Sequence, residues 1–321
     1  MTLALLFSPQ GSQAVGMGRD LAEGFGTAAA VYDEADRAAG WSVSQVAWEG
    51  PAERLNDTRQ TQPCLVTTSL ACLAALRAAA TEAGLALEPA FVAGHSVGEY
   101  AALAAAGALS VADAIRLVAR RGQLMTAAQV DGGMAAVIGL DREVVAATLA
   151  ATASPADLVV ANDNAPGQVV ISGTRDALLG ANDALKAAGA RRVIPLPVSG
   201  PFHSAWMADV SDRLAEAFEQ VAWSDAHPPV VSNVTAEPVS DAGRIRALLA
   251  EQVRSPVEWL ASVRRMVEEG VDTFIECGPG NALTGMVRRI VPQARTLNVA
   301  DVSTLDATLQ ALGAVPAEAS A

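Results

Sequence analysis

Lysine is almost missing from this 321-residue chain, in which Lys186 is the single example. Chemistry that runs through a lysine amine, such as pyridoxal or Schiff-base catalysis, must use that residue or be absent, and no phosphate loop of the G-x-x-x-x-G-K-[ST] type occurs. Cysteine is scarce too. Cys64, Cys72 and Cys277 are odd in number and widely separated, with no C-x-x-C and no histidine at zinc-ligand spacing. Neither a disulfide framework nor a metal site is implied. Positive charge is in deficit: 22 Lys plus Arg against 35 Asp plus Glu leave a net −13. Such a field repels nucleic-acid phosphates and anionic membranes. No apolar run reaches about 18 residues, and MTLALLFSP at the start lacks a basic segment, so neither a membrane span nor a signal peptide is expected. A reducing cytoplasm is the expected compartment. What the chain does have is 51% hydrophobic and only 18% charged residues, a balance that can offset chain entropy by burial and excludes disorder.

Apolar Leu3 to Phe7 running into Ser8-Pro9-Gln10-Gly11 reads as a buried strand that ends in a turn. Apolar residues recur at helical spacing from Gly18 to Ala39, a helix start is expected near Thr61 and Pro63, and Ala90–Ala93 reads as a strand before Gly94. Glu99–Ala106 is helix-forming, and Ser110 with Asp113 opens a further helix that runs past Arg121. The middle of the chain alternates faster. Strands are expected at Met134–Ile138, Leu158–Ala161, Gln168–Ser172 and Arg192–Pro195, helices at Glu143–Ala151 and Asp176–Ala188, and a turn at 162–167. That β-α-β-β-α-β order is the ferredoxin-like arrangement. After Pro197 the longer rhythm resumes, with helices at about 205–218, 245–253 and 257–269, strands at Val230–Ser232 and Thr273–Glu276, and a helix from Leu283. Residues Ala314 to Ala321 are expected to fray. Strand-helix alternation on both sides of an inserted unit predicts an α/β core with a mostly parallel sheet. Ligands of such sheets sit beyond the carboxyl ends of the strands.

One of those ends carries Gly94-His95-Ser96-Val97-Gly98, a G-x-S-x-G match with a strand before it and a helix after it. Glycines flank the serine because the chain must reverse too tightly for a β-carbon. The hydroxyl is left at a helix N-terminus, where backbone N–H groups favour negative charge. A serine nucleophile needs a base, and only His95, His203 and His227 exist. His95 adjoins the serine, and adjacent side chains at a sharp turn point apart. His227 precedes two prolines in a polar stretch. His203, between a strand end and a helix start, is the better placed, although a helix-start histidine can equally be a cap. Arg121 lies on a helix that is otherwise apolar at Ile115, Leu117 and Val118. It either belongs to a solvated arginine face with Arg116 and Arg120, or turns inward to hold a carboxylate with two parallel hydrogen bonds. Spacing alone leaves both open.

Taken together, eight ordered blocks resemble the malonyl-CoA:acyl carrier protein transacylase family: Phe7–Gly18, Thr61–Pro63, Gly94–Tyr100, Arg121–Met125, Asn162–Gly173, Gly200–Ser204, Ser255–Trp259 and Gly278–Gly285. The likeness is nearly chain-long. It departs at Ser8-Pro9, where the family usually has Pro-Gly, and at Cys277, where an aliphatic residue is usual. The resemblance implies an α/β-hydrolase-like core formed by residues 1–128 and 198–321, interrupted by a ferredoxin-like subdomain at 129–197. It implies Ser96 as nucleophile, His203 as base, and a backbone carbonyl near Gln252 that orients the imidazole in place of a triad aspartate. Backbone N–H groups of Gln10 and Val97 are implied as the oxyanion hole, Arg121 as the partner of the malonyl carboxylate, and Phe202 and Gln62 as acyl-pocket residues.

The activity expected from this resemblance is transfer of malonyl from malonyl-CoA to the phosphopantetheine thiol of holo acyl carrier protein in fatty acid synthesis. No cofactor is expected, since the CoA thioester is a substrate. No nucleic-acid or membrane partner is expected, and the chain is expected to be a monomer. An acidic enzyme meeting an acidic carrier needs a local basic patch, for which Arg191-Arg192, Arg264-Arg265 and Arg288-Arg289 are candidates. Three other readings share the elbow: a malonyltransferase serving a malonate decarboxylase or a polyketide synthase in trans, a serine thioesterase or esterase, and a non-catalytic scaffold.

Overall fold

The computed structural model describes residues 1–128 and 130–313. The fraying expected for Ala314 to Ala321, and the subdomain boundary placed at 129, lie outside them. Among the described residues there are ten strands: β1 (Leu3–Phe7), β2 (Pro89–Gly94), β3 (Gly132–Ile138), β4 (Leu158–Ala165), β5 (Gln168–Thr174), β6 (Arg192–Pro195), β7 (Val230–Val231), β8 (Pro238–Val239), β9 (Thr273–Cys277) and β10 (Arg295–Val299). They form two sheets.

The larger sheet has the order β10-β9-β1-β2-β7-β8 and is parallel except where β8 turns back on β7. Its central strand β1 is buried along its whole length. The two-residue period of a strand divides its side chains between two faces. Leu3, Leu5 and Phe7 pack into the core with the helices Gly26–Ala39, Thr58–Glu82 and Val111–Ala127, whereas Ala4 and Leu6 pack with Val263, Leu283 and Val287 on the other side. Helices therefore cover both faces, which is why β1 reads as a continuous apolar run.

The smaller sheet, β4-β5-β3-β6, is antiparallel and keeps a core of its own around Val137, Leu149, Ile171 and Leu185. With the helices Arg142–Thr152 and Arg175–Ala187 on one connection each, it has the ferredoxin-like order. Apolar packing of Met134, Ala161 and Val170 into the large core joins it to the rest, together with polar ties. Val257 receives a hydrogen bond from the amide of Asp163 at 3.0 Å and gives one to the carbonyl of Ala161 at 2.8 Å. Arg142 pairs with Glu258, and Arg289 reaches the Pro166 carbonyl at 2.7 Å and Gln168 Oε1 at 2.9 Å.

The fold departs from the sequence reading at several places, each with a local cause. The helix expected over Gly18–Ala39 is two, Arg19–Gly24 and Gly26–Ala39, broken at Phe25, whose backbone is extended. The long helix begins at Thr58, capped by the Asp57 carboxylate on the Arg59 amide, so Pro63 lies inside it. That helix is long and apolar enough to cross a membrane, yet most of it is buried in the core. The polar stretch Asn162–Ala165, expected as turn, is strand, because pairing with β5 and Val257 supplies its backbone partners. The segment from Ala205 opens as a 3₁₀ turn before the α-helix Ala208–Phe218. Strands β8 and β10 and the helices Val43–Glu49 and Val302–Leu312 carry no expectation from the sequence.

Candidate active site

The carboxyl ends of β1, β2 and β7 lie side by side, and the site is built on the turns that leave them. Register pairs Phe7 with Gly94, so the turn after β1 runs beside the turn after β2, and the His95 amide donates to the Phe7 carbonyl at 3.2 Å. A β-carbon on Gly94 would stand 2.0 Å from the Gly98 backbone, and one on Gly98 would stand 2.2 Å from the Phe7 carbonyl oxygen. Only glycine fits at either end of this reversal. Between them Ser96 is forced to a left-handed φ of 53°, a conformation that costs a non-glycine residue about 1–2 kcal/mol. A residue just past β7 offsets that cost. Asn233, fully buried, accepts the Ser96 amide at 2.6 Å and donates to the Gly94 carbonyl at 2.7 Å, clamping both sides of the elbow.

His203 arrives from the other half of the chain. It too has a left-handed backbone, φ 58°, and its amide is tied to the Val253 carbonyl at 2.9 Å. Its Nδ1 faces the carbonyl oxygens of Gln252 at 2.9 Å and Ser255 at 3.1 Å. Both are acceptors only, so Nδ1 carries the proton and Nε2 presents a lone pair. That lone pair lies 2.8 Å from Ser96 Oγ. Burial, and then the charge of Arg121, push the imidazole down to about 3, which keeps it neutral and able to take a proton at physiological pH. The other two histidines are engaged elsewhere. His95 binds Asn164 Oδ1 at 2.8 Å and packs against Trp259, and His227 is exposed before a cis proline.

Arg121 turns inward. It is 1% exposed, whereas Arg116 and Arg120 on the same helix are exposed. Its Nη2 donates to Ser96 Oγ at 3.1 Å and to Gln252 Oε1 at 3.1 Å, and its Nη1 donates to Gln62 Oε1 at 2.9 Å. No carboxylate forms a salt bridge with it among the described residues, and its Nε has no hydrogen-bond partner there. A buried cation held by neutral amides keeps most of its attraction for an incoming anion.

These side chains open on a cleft of about 280 Å³, lined by Gln10, Ser96, Arg121, Phe202 and His203 from the large unit and by Met134, Asn162 and Leu196 from the small one. Val97 is buried at the start of the helix Gly98–Ala105, and Gln62 and Gln252 lie buried behind Arg121. Ser8, at the first departure from the family pattern, is buried and donates to the Glu276 carboxylate at 3.4 Å, while Gln10 still reaches the cleft. Cys277 is a buried, uncharged thiol in the core. Of the basic pairs, Arg265 is engaged by Glu237, and Arg289 holds the small sheet. Arg191 and Arg192 are both exposed, and neither forms a salt bridge among the described residues. Two residues at the centre, Asn233 and Glu99, escaped the sequence reading. Asn233 belongs to no motif, and Glu99, although inside the Gly94–Tyr100 block, carries no role of its own there.

The acyl transferase domain family model matches residues 4–308. The chain is 42% identical over 313 residues to the malonyl CoA-acyl carrier protein transacylase of Bacillus subtilis, covering 97% of each. Among solved structures, the acyl-carrier-protein S-malonyltransferase of Burkholderia pseudomallei superposes with a TM-score of 0.92 at 41% identity, covering 97% of this chain and 100% of that one. A malonyl-transacylase solved in complex with its type II PKS acyl-carrier protein superposes at 0.91 with 39% identity, covering 97% and 100%.

Proposed function

Given that the chain belongs to the malonyl-CoA:acyl carrier protein transacylase family, we propose that it moves malonyl from CoA to the phosphopantetheine thiol of an acyl carrier protein through a malonyl ester on Ser96. The observation that carries this reading is the convergence on one oxygen: Ser96 Oγ has His203 Nε2 at 2.8 Å and Arg121 Nη2 at 3.1 Å. In this reading residues 1–128 and 198–321 carry the chemistry, and 129–197 form the opposite wall of the cleft.

Ser96 Oγ attacks the thioester carbon as its proton passes to His203 Nε2. The developing oxyanion is taken by the backbone N–H groups of Gln10 and Val97, the latter at a helix start. The carbon–sulfur bond breaks, the imidazolium returns its proton to the CoA sulfur, and malonyl stays on the serine. The carrier thiol then repeats the sequence in reverse, losing its proton to the same nitrogen. The Gln252 and Ser255 carbonyls hold the ring in one tautomer without the full charge of a carboxylate, so the imidazolium is a short-lived state.

Arg121 selects the acyl group. Once Oγ is acylated, the Nη2 hydrogen it accepted is released and becomes available to the malonyl carboxylate. An acetyl group would leave that cation unpaired in a desolvated pocket, at about 3–5 kcal/mol. Phe202, buried on the cleft wall, crowds a methyl on the α-carbon, a weaker filter of about 1–3 kcal/mol against methylmalonyl. Gln62 holds the guanidinium in plane. For the carrier, Arg191 and Arg192, which form no salt bridge among the described residues, stand at the start of β6, and Leu196, just past its other end, lines the cleft. Reversing both charges raises the KM for carrier and spares malonyl-CoA; unchanged carrier kinetics remove this patch.

The test is incubation with isotope-labelled malonyl-CoA, followed by mass analysis with and without holo carrier. Transfer requires a malonyl group on Ser96 that moves to the carrier thiol and is absent from Ser96→Ala. Release of the label to water in the presence of carrier marks a hydrolase and overturns the reading.

A further inference from the structure

Glu99 is a buried carboxyl group beside the cleft that the acyl-transfer steps do not use. It sits in the first turn of the helix Gly98–Ala105, three residues after the nucleophile and 4% exposed. Its Oε2 accepts a hydrogen bond from Gln252 Nε2 at 2.6 Å. The same Nε2 donates to the Ser96 carbonyl at 2.8 Å, and Gln252 Oε1 accepts from Arg121 Nη2 at 3.1 Å. The two ends of a primary amide are almost equal in size, and only their hydrogen-bonding sense distinguishes them. Here two acceptors flank one end and a cationic donor faces the other. A flipped amide would set oxygen against oxygen twice and an NH₂ against the guanidinium.

We propose that Glu99 is a positioning residue for acyl selection: by fixing the sense of the Gln252 amide, it aims the Arg121 fork at the serine oxygen. The inference rests on Arg121 being the partner of the malonyl carboxylate. Burial raises the Glu99 carboxyl to about 7, and in either protonation state it keeps an oxygen for the amide. The ionised form has acceptors only and fixes the sense of the amide, whereas the protonated form carries a donor that a flipped Gln252 oxygen can accept, so the anchor weakens as the carboxyl gains its proton.

The test is a double-mutant cycle read on the malonyl-to-acetyl ratio of kcat/KM. Glu99→Gln keeps the size of the side chain, but its NH₂ must face either the Gln252 amide donor or the Asn233 backbone N–H, which also lies against the carboxyl group. Expected are a rise of about tenfold in KM for malonyl-CoA, a kcat within about threefold, and a ratio lowered about tenfold. In an Arg121→Ala background the same change is expected to move the ratio less than about twofold. A folded Glu99→Gln enzyme with the parental ratio overturns the inference, and so does an equal loss in both backgrounds. Arg121→Ala with the parental ratio instead removes the reading beneath it, and this inference with it. If Glu99→Gln does not fold, Glu99→Asp is measured the same way, with the same direction expected and a parental ratio again decisive against.

Discussion

The two sheets of this molecule differ in what surrounds their strands. In the larger, β1 and β9 are buried at every residue, and of the groups that meet at Ser96 Oγ the serine follows β2, Arg121 lies on the buried helix Val111–Ala127, and His203 comes from the loop before the 3₁₀ turn at Ala205. In the smaller, the edge strand β6 is exposed at three of its four residues, and the unit gives the cleft wall residues such as Met134 and Leu196. The difference teaches that reactivity here is a property of the dry, doubly covered layer, where neutral amides can hold a bare cation. The wetter layer supplies one wall of the cleft and is joined to the dry one by hydrogen bonds, the Arg142–Glu258 ion pair and apolar packing.

Four measurements sharpen or break that division. The largest effect is expected from Ser96→Ala, which removes the ester-forming oxygen: kcat falls by about 10⁴-fold or more, read as carrier malonylation, with the fold intact. Next comes Arg121→Ala, expected to lower the malonyl preference over acetyl by two to three and a half decades, about 3–5 kcal/mol, in competition assays with the two CoA esters. Third is proton linkage at His203. An unfolded imidazole titrates near 6.5 and the buried one near 3, so unfolding takes up a proton between those values and this contribution to stability is lost as pH falls through that window. Buried Glu99, shifted upward, acts in the opposite sense. Comparison with His203→Asn isolates the histidine: between about pH 6.5 and pH 5 the parent is expected to lose about 1–2 kcal/mol more than the variant in denaturant titrations. Smallest is Arg289→Ala, which cuts an exposed tie between the sheets. Stability should change by less than about 1 kcal/mol, and KM for carrier should move more than kcat. A large loss of kcat there would mean that the wall and the chemistry are not separable.

Much of the fold and site is legible in the sequence. Gly94 and Gly98 announce a reversal that excludes a β-carbon, and a chain with three histidines leaves few bases to choose from. The inward turn of Arg121 is not legible from spacing, because an arginine among apolar residues at helical period fits either face. What decides it is the pair of amides, Gln62 and Gln252, brought in from distant helices. Asn233 is invisible for the same reason: its task exists only once β7 lies beside β2. The strand over Asn162–Ala165 is hidden because local polarity argues for a turn, and pairing with β5 across a tight hairpin, together with the remote Val257, overrules it.

Ser96 and His203 share a backbone twist that suits glycine better than either of them. Exchanging the serine for glycine would relax the chain locally, so a lineage screened for heat tolerance alone would drift toward sturdier, inert descendants. Any campaign to make this protein more robust therefore has to score turnover in every round.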